Sequence, residues 1–572
     1  MAIWSTEKEK SSDADISDGF EPTNDIQEGV LTDNADQLQR HLANRQIQLI
    51  AIGGSIGTAL FITIGSGLYA GGSGSLLIAY TLQSLALACV NNCIAEMSTA
   101  FPVSGGFIRL ADKWVDGALG FMVGWNFFLY EALLIPFEIT ALMKVISFWD
   151  PSIANPGPTA GICIGVIICY AAINILAVKA YGEAEFWLSG GKVILIFSLF
   201  FFTFITMVGG NPEGDAYGFR HFRMGDAFKA ADYGVGGSLG RFEGFLACLW
   251  NACFTVVGPE YISMVAAEAK RPRTYIKTAF KTVYFRFGLF FIGGALAVGI
   301  VCSSNDPALR ASVEGGEGSG TAAASPYVIA MENLNVKIFP HIVNALMMTS
   351  IFSAGNTYTY AAVRSLYGLS LEGRAPAFLR HCTAKGVPIW CFCVVMVFPF
   401  LSFLQVSKSS ADVLLWLVAV ITAGGLINYI VMSITYIQFY NACKAQGLDR
   451  RTLPYRGWLQ PFCGYFGLVW FSVVTIFYGY PSFRPEASVT TFFQNYALQI
   501  LCPILYVFWK LFKRTKWLGK YEVDLVWERP TIDAYEATFF GPPVGFWREM
   551  VQLTGFWRIK GGNDQRRGSI AN

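Results

Sequence analysis

Residues 46–70 read QIQLIAIGGSIGTALFITIGSGLYA, an uncharged, mostly apolar run broken in its middle by Gly53-Gly54-Ser55-Ile56-Gly57-Thr58. A helix needs about 20 consecutive mostly apolar residues to cross the hydrocarbon core of a bilayer, and this run is long enough. Its glycines carry the further message. Glycine at this density weakens helix continuity, and in lipid no water satisfies the freed backbone groups, so a break survives only where it lines a cavity. A second broken run lies near 243–266, where Gly258-Pro259 is followed at once by Glu260. Proline there removes an amide donor and crowds the preceding turn. Either break alone is matched by a structural reading, in which glycines merely let helices pack closely. Two breaks, each opening a set of five apolar runs, match the pattern of a midplane binding site between interrupted helices.

Working outward, apolar runs near 46–70, 75–97, 118–148, 158–178 and 185–208 form the first set. Runs near 243–266, 279–302, 341–369, 387–405 and 411–440 form the second, and two more follow near 463–481 and 491–512, twelve in all. The composition agrees, with 53% hydrophobic and 14% charged residues in 572, against about a quarter charged in soluble domains. The expected class is an all-α membrane protein with twelve transmembrane helices. Lys and Arg crowd cytoplasmic connections, and here every second connection is basic. Lys270, Arg271, Arg273, Lys277 and Lys281 follow the sixth run, Arg374, Arg380 and Lys385 the eighth, and Lys444, Arg450, Arg451 and Arg456 the tenth. Both termini are therefore expected in the cytoplasm. The connection 209–242, with Arg220, Arg223, Lys229 and Arg241, is an exception, and long loops follow the rule weakly.

The expected organisation is a cytoplasmic tail (1–45), five spans (46–208), an extracellular loop (209–242), five spans (243–440), two further spans (441–512) and a second cytoplasmic tail (513–572). The first tail, polar and acidic with few aromatics, reads as disordered, and no apolar segment precedes the first span to act as a cleaved signal. The second holds Trp527, Phe539, Phe540, Phe546, Trp547, Phe556 and Trp557. It suits either packing on the cytoplasmic face or a place at the lipid interface.

Helix N-termini exposed at a break offer unpaired amides and partial positive charge for a carboxylate, while freed carbonyls suit an ammonium. A zwitterion fits that pair. Charges inside spans cost roughly 2.5–3.5 kcal/mol on insertion scales and face a cavity or a partner; Glu131, Glu138, Lys192 and Glu260 are such charges. Lys192 reads as a carboxylate's partner or a fixed cation where a sodium ion would otherwise sit, against a plain snorkelling lysine. Glu260, beside the break, reads as a contact for a proton or a substrate amine, and Glu131 and Glu138 as stitches between helices. Gly190-Gly191-Lys192-Val193 lacks the earlier glycine and the hydroxyl residue of a phosphate loop. Four scattered His and thirteen Cys, mostly inside apolar runs, form no catalytic or metal-ligand constellation. An enzyme, a cofactor and a metal are therefore not expected. A net charge of +2 gives no reason to expect nucleic acid.

These residues resemble the fungal amino-acid permeases of the amino acid-polyamine-organocation (APC) superfamily. The resemblance runs through Gly53 to Phe61, Ala95-Glu96-Met97-Ser98-Thr99 with Pro102-Val103-Ser104-Gly105-Gly106, and Val115-Asp116 leading to Gly124-Trp125-Asn126. It continues with Glu185-Phe186-Trp187, Lys192-Val193, Gly258 to Thr274, Arg364-Ser365-Leu366-Tyr367-Gly368 and Gly373-Arg374-Ala375-Pro376. It implies a 5+5 inverted repeat, APC/LeuT-like, plus two C-terminal helices. It implies further that backbone around Ser55, Ile56, Gly57 and Thr58 holds a substrate carboxylate, and that carbonyls near Phe254, Thr255 and Val257, beside Val256 and Gly258, face its amine. Lys192 stands at the place of a family lysine that substitutes for a sodium ion, which implies proton-coupled uptake. Ala59 replaces a frequent glycine, Val256 a frequent aromatic lid, and Pro259 is unusual for its position.

The combined expectation is secondary active uptake of amino acids by proton symport, with alternating access to a midplane site between broken helices 1 and 6. One charge moved down 100 mV is worth about 2.3 kcal/mol, enough for roughly fifty-fold accumulation. A same-fold carrier of a polyamine or carnitine-like solute is one rival, prompted by Val256 and the intramembrane glutamates. A nutrient receptor with little transport is another. Substrate, proton and lipid bilayer are the expected partners, the plasma membrane the location implied by the resemblance, and Lys8 and Lys10 candidate sites for a ubiquitin-ligase partner.

Overall fold

In lipid a helix is the simplest element that satisfies its own backbone, and the long apolar runs take that form. The computed structural model describes residues 42–53, 57–176, 178–231, 236–314, 325–383, 387–408, 410–539, 543, 545 and 549. Its first helices are α1 (Asn44–Gly53), α2 (Ile64–Ala100), α3 (Gly106–Trp114), α4 (Gly117–Ile146), α5 (Pro156–Leu176) and α6 (Val178–Met207). Then come α7 (Gly237–Thr255), α8 (Pro259–Met264), α9 (Pro272–Arg286), α10 (Gly293–Val301), α11 (Pro307–Glu314) and α12 (Pro326–Asn333). The last are α13 (Phe339–Leu371), α14 (Ile389–Val395), α15 (Ser410–Ala445), α16 (Phe462–Phe477), α17 (Val489–Lys513) and α18 (Arg529–Ala537). Among the described residues ten helical segments are long and apolar enough to cross a membrane, so the chain is a multi-pass integral membrane protein. The expected tail residues 1–41, with Lys8 and Lys10, lie outside the described residues.

Two features connect these ten segments with the sequence reading. The segment Ala59–Ala100 is bent at Gly72, whose φ of 85° and ψ of 170° interrupt the helix where the first two apolar runs were expected to part. That left-handed φ favours glycine, and a Cβ on Gly72 would also collide with the backbone of Asp226 and Ala227. The expected run 341–369 is α13, 33 residues long and not among the ten. Its Asn344, Ser350, Ser353, Asn356, Thr357 and Thr359 are all buried, so its polar side chains face protein. It packs most extensively on α4. The lipid-facing side belongs to helices such as α6, α16 and α17, where Ile194, Phe201, Val469, Ile476, Ile504 and Leu511 are exposed.

The connection between α6 and α7 folds back over the Gly72 bend. Gly74 and Ser75 donate their amides to the Ala227 carbonyl at 2.9 and 3.1 Å, and Lys229 donates to Gly71 at 3.0 Å. Asp226 anchors it, accepting from the Ser304 amide at 2.8 Å and the Ser303 hydroxyl at 2.9 Å, with His221 Nδ1 3.0 Å away. Burial alone would raise the Asp226 carboxyl, yet the hydrogen bonds from His221, Ser304 and Ser303 hold it down at about 2. A carboxyl depressed on folding contributes stability above its unfolded value of about 4 and loses it as pH falls through the folded value. The melting-temperature gap between the wild type and Asp226→Asn, measured in detergent, is therefore expected to be open at pH 7 and to close as pH falls from about 4 toward 2. A gap that stays constant over that range would refute this account of the loop.

Over the residues described, the aromatic C-terminal segment packs against the helix bundle. Leu518 donates its amide to Val115 at 2.9 Å, Trp114 Nε1 donates to the Asp524 carbonyl at 3.1 Å, and Gln438 Nε2 donates to Leu518 at 2.6 Å. Arg109 meets Glu528 at 2.8 Å and lies 4.9 Å from the Trp527 ring centroid. Further on, Arg273 donates its amide to Glu536 at 2.9 Å and Tyr535 donates to the Lys270 carbonyl at 3.0 Å. The segment thus lies on the face that carries the basic connection after the sixth run. Phe540, Phe546, Trp547, Phe556 and Trp557 lie outside the described residues.

Candidate functional site

The first broken run is helical in α1 as far as it is described, makes a non-helical bend at Gly57, and is a wide, π-helical turn over Ala59–Thr63 leading into α2. Gly54, Ser55 and Ile56 lie outside the described residues; Gly57 and Thr58 are described and buried. Gly57 rests against α4 and α13: a Cβ there would lie 3.6 Å from both Glu138 Oε1 and the Tyr358 hydroxyl. Thr58 donates its hydroxyl to Glu138 Oε2. The main chain at the break is thus held by a buried carboxylate from α4.

In the sixth run α7 ends at Thr255, Val256 is extended, and α8 starts at Pro259. Gly258 has φ 147° and ψ −36°, a conformation that needs glycine, and proline at the first helical position suits a helix start because its missing amide would be an orphan there. No amide of Pro259 is present to close onto Thr255, and among the described residues no backbone amide reaches the carbonyls of Phe254, Thr255 or Val257. Glu260 turns back onto the break. Its carboxylate accepts the Gly258 amide at 3.2 Å and the Tyr429 hydroxyl of α15 at 3.0 Å. Phe254 packs edge-on against Phe137, with ring centroids 5.1 Å apart.

Polar side chains that the sequence reading passed over tie the end of α7 to the turn after the first break and to α2. Asn251, one turn before Thr255, donates to the Thr63 carbonyl at 2.7 Å and to Ser66 Oγ at 3.1 Å, and accepts from Tyr80 at 2.7 Å. Tyr80 also reaches Thr255 Oγ1 at 3.0 Å. A lone Asn in an apolar run was the available signal. Lys192 is 1% exposed on α6, the helix beside α1, and lies in the electrostatic field of Glu138. Glu138, expected only as a stitch, is a stitch to the first break itself. Glu131, expected in the same role, differs: it is fully buried, with the neutral Tyr261 hydroxyl beside it and no hydrogen bond of good geometry to either oxygen.

Comparison with known proteins fits this geometry. A sequence-family model described as amino acid permease matches residues 46–520. The chain is similar to the general amino acid permease AGP2 of Saccharomyces cerevisiae, 45% identical over 507 residues that cover 87% of this chain and 84% of that one. It is 35% identical to a proline-specific permease of Emericella nidulans over 86% of this chain and 89% of the relative. It is 32% identical to a lysine/arginine permease of Candida albicans, over 84% and 82% respectively. The family is one of transporters and not of enzymes. With one family model spanning nearly all of the membrane portion and relatives matched over most of their length, the chain belongs to the amino acid permease family of multi-pass membrane proteins.

Proposed function

We propose that this permease takes up amino acids by proton symport, by alternating access to a site between the first and sixth spans. The observation that carries the reading is the pair of interruptions, at Gly57 and at Val256 to Gly258, each held by a buried carboxylate. In this reading main chain around Ser55, Ile56, Gly57 and Thr58 receives the substrate carboxylate. The carbonyls of Phe254, Thr255 and Val257 receive its amine, with Val256 and Gly258 shaping the gap. Lys192 supplies a fixed positive charge and Glu260 couples the proton.

The twelve-span, 5+5 inverted-repeat arrangement with two added helices belongs to the same proposal. The ten apolar segments, the Gly72 bend and the buried polar helix α13 together support twelve crossings. Both termini in the cytoplasm and residence in the plasma membrane belong to the same proposal, the first supported by the basic connections.

Purified protein in liposomes tests this directly. An imposed inward proton gradient is expected to drive labelled amino acid above its outside concentration. Glu260→Gln is expected to bring accumulation from about fifty-fold, the value for one charge at 100 mV, down to equilibration. Binding without flux would instead favour a receptor, and wild-type accumulation by Glu260→Gln would remove Glu260 from the coupling.

A further inference from the structure

Between the two breaks three carboxylates, Glu131, Glu138 and Glu260, are each no more than 1% exposed. Glu138 accepts from Thr58 and lies in the field of Lys192; Glu260 accepts from Gly258 and Tyr429. Among the described residues no opposite charge acts on Glu131. Neither of its oxygens has a hydrogen bond of good geometry, the Tyr261 hydroxyl beside it is a neutral donor, and the charge that acts on it is the like-signed Glu260. A carboxylate held from water without a counter-charge costs several kcal/mol, so this one is poised for a positive group. Its surroundings suit an organic cation. Tyr130 and Tyr261 both lie close enough to interact with it, and Tyr261 packs against Tyr358 with ring centroids 6.3 Å apart. Phenol faces attract ammonium and guanidinium groups. Glu131 also stands seven residues before Glu138 on α4, hence on the same helix face and roughly 10 Å along it.

We infer that Glu131 is a specificity-determining residue, receiving the distal cationic group of an extended solute whose other end lies at the helix breaks. The inference rests on the proposed site and adds the substrate class: amino acids with cationic side chains, or linear diamines, ahead of neutral ones of equal length. The probes are lysine, cadaverine and norleucine, compared by binding to purified protein and by uptake in liposomes. The wild type is expected to prefer lysine to norleucine, and Glu131→Gln to lower the lysine-to-norleucine ratio at least tenfold, mainly through the lysine KM, with Glu131→Asp recovering part of it. A wild type that binds norleucine as tightly as lysine overturns the assignment even if transport is intact. So does a Glu131→Gln protein that loses both solutes in equal proportion. A binding preference that persists in the wild type without flux of any solute supports Glu131 as the cation subsite while removing the transport reading. Should Glu131→Gln fail to insert, the Glu131→Asp ratio and the wild-type binding comparison decide.

Discussion

Glu138→Gln is expected to cut the initial rate of amino-acid uptake by about a hundredfold, roughly 2.7 kcal/mol in the barrier, while the protein is made and inserted near wild-type levels. The reason lies in where α4 delivers this carboxylate. One of its oxygens faces the main chain at Gly57, the other accepts from Thr58, and the charge of Lys192 is felt across the gap. Glutamine keeps the shape and can still accept from Thr58, but it no longer carries the charge that interacts with Lys192, and removing one of two interacting buried charges is costly. The break would then settle into a different arrangement, and displacements near 1 Å at a binding constellation are enough to cost two orders of magnitude. Thr58→Val removes only the neutral donor and is expected to cost about tenfold. Uptake normalised to the amount of inserted protein is the measurement. Rates within twofold of wild type for Glu138→Gln would separate Glu138 from the proposed site.

The largest effect on stability is expected away from the site, at Glu96. This carboxylate, with no exposed surface, ends the second apolar run and accepts four hydrogen bonds. They come from Arg450 Nε at 2.6 Å, Arg450 Nη2 at 2.7 Å, the Tyr436 hydroxyl at 2.9 Å and the Gly457 amide at 2.8 Å. It therefore fixes the connection between α15 and α16 to the end of α2. Two parallel N–H donors from one guanidinium make a strong, geometrically specific pair. Glu96→Ala leaves Arg450, Tyr436 and the Gly457 amide without their acceptor, a loss of about 3–5 kcal/mol by comparison with other broken buried pairs. Arg450→Lys, which keeps the charge but loses the fork, is expected to fall between. The readout is the temperature at which half of the detergent-extracted protein stops eluting as a monodisperse species. A Glu96→Ala protein that matches wild type in that assay would mean the network contributes nothing to holding these helices together.

Much of the architecture was legible because the bilayer constrains sequence so strongly. Runs such as 118–148 and 411–440 have to be helices, since their backbones have no other way to be satisfied in lipid, and α4 and α15 occupy them. The break at Gly258-Pro259 was legible for a related reason: one residue tolerates a φ of 147° and the next has no amide, so both state their conformation locally. The turn between the first two spans, at Gly72, was legible only as a gap between apolar runs. Its sharpness depends on the Asp226 to Lys229 segment folding onto it from more than 150 positions away.

The sequence by itself determined an all-helical membrane protein, the positions of two interrupted helices and the family to which the chain belongs, because hydrophobic length and glycine or proline chemistry act within a few residues of themselves. Only the tertiary structure decided what the buried charges do. Glu131 and Glu138 sit on one helix face and look alike as residues, yet Glu138 meets Thr58 and the field of Lys192 whereas Glu131 has only a neutral hydroxyl and a like charge beside it. A carboxylate's role is set by what other helices bring to within hydrogen-bond distance, and that information is spread over the chain rather than written beside the residue.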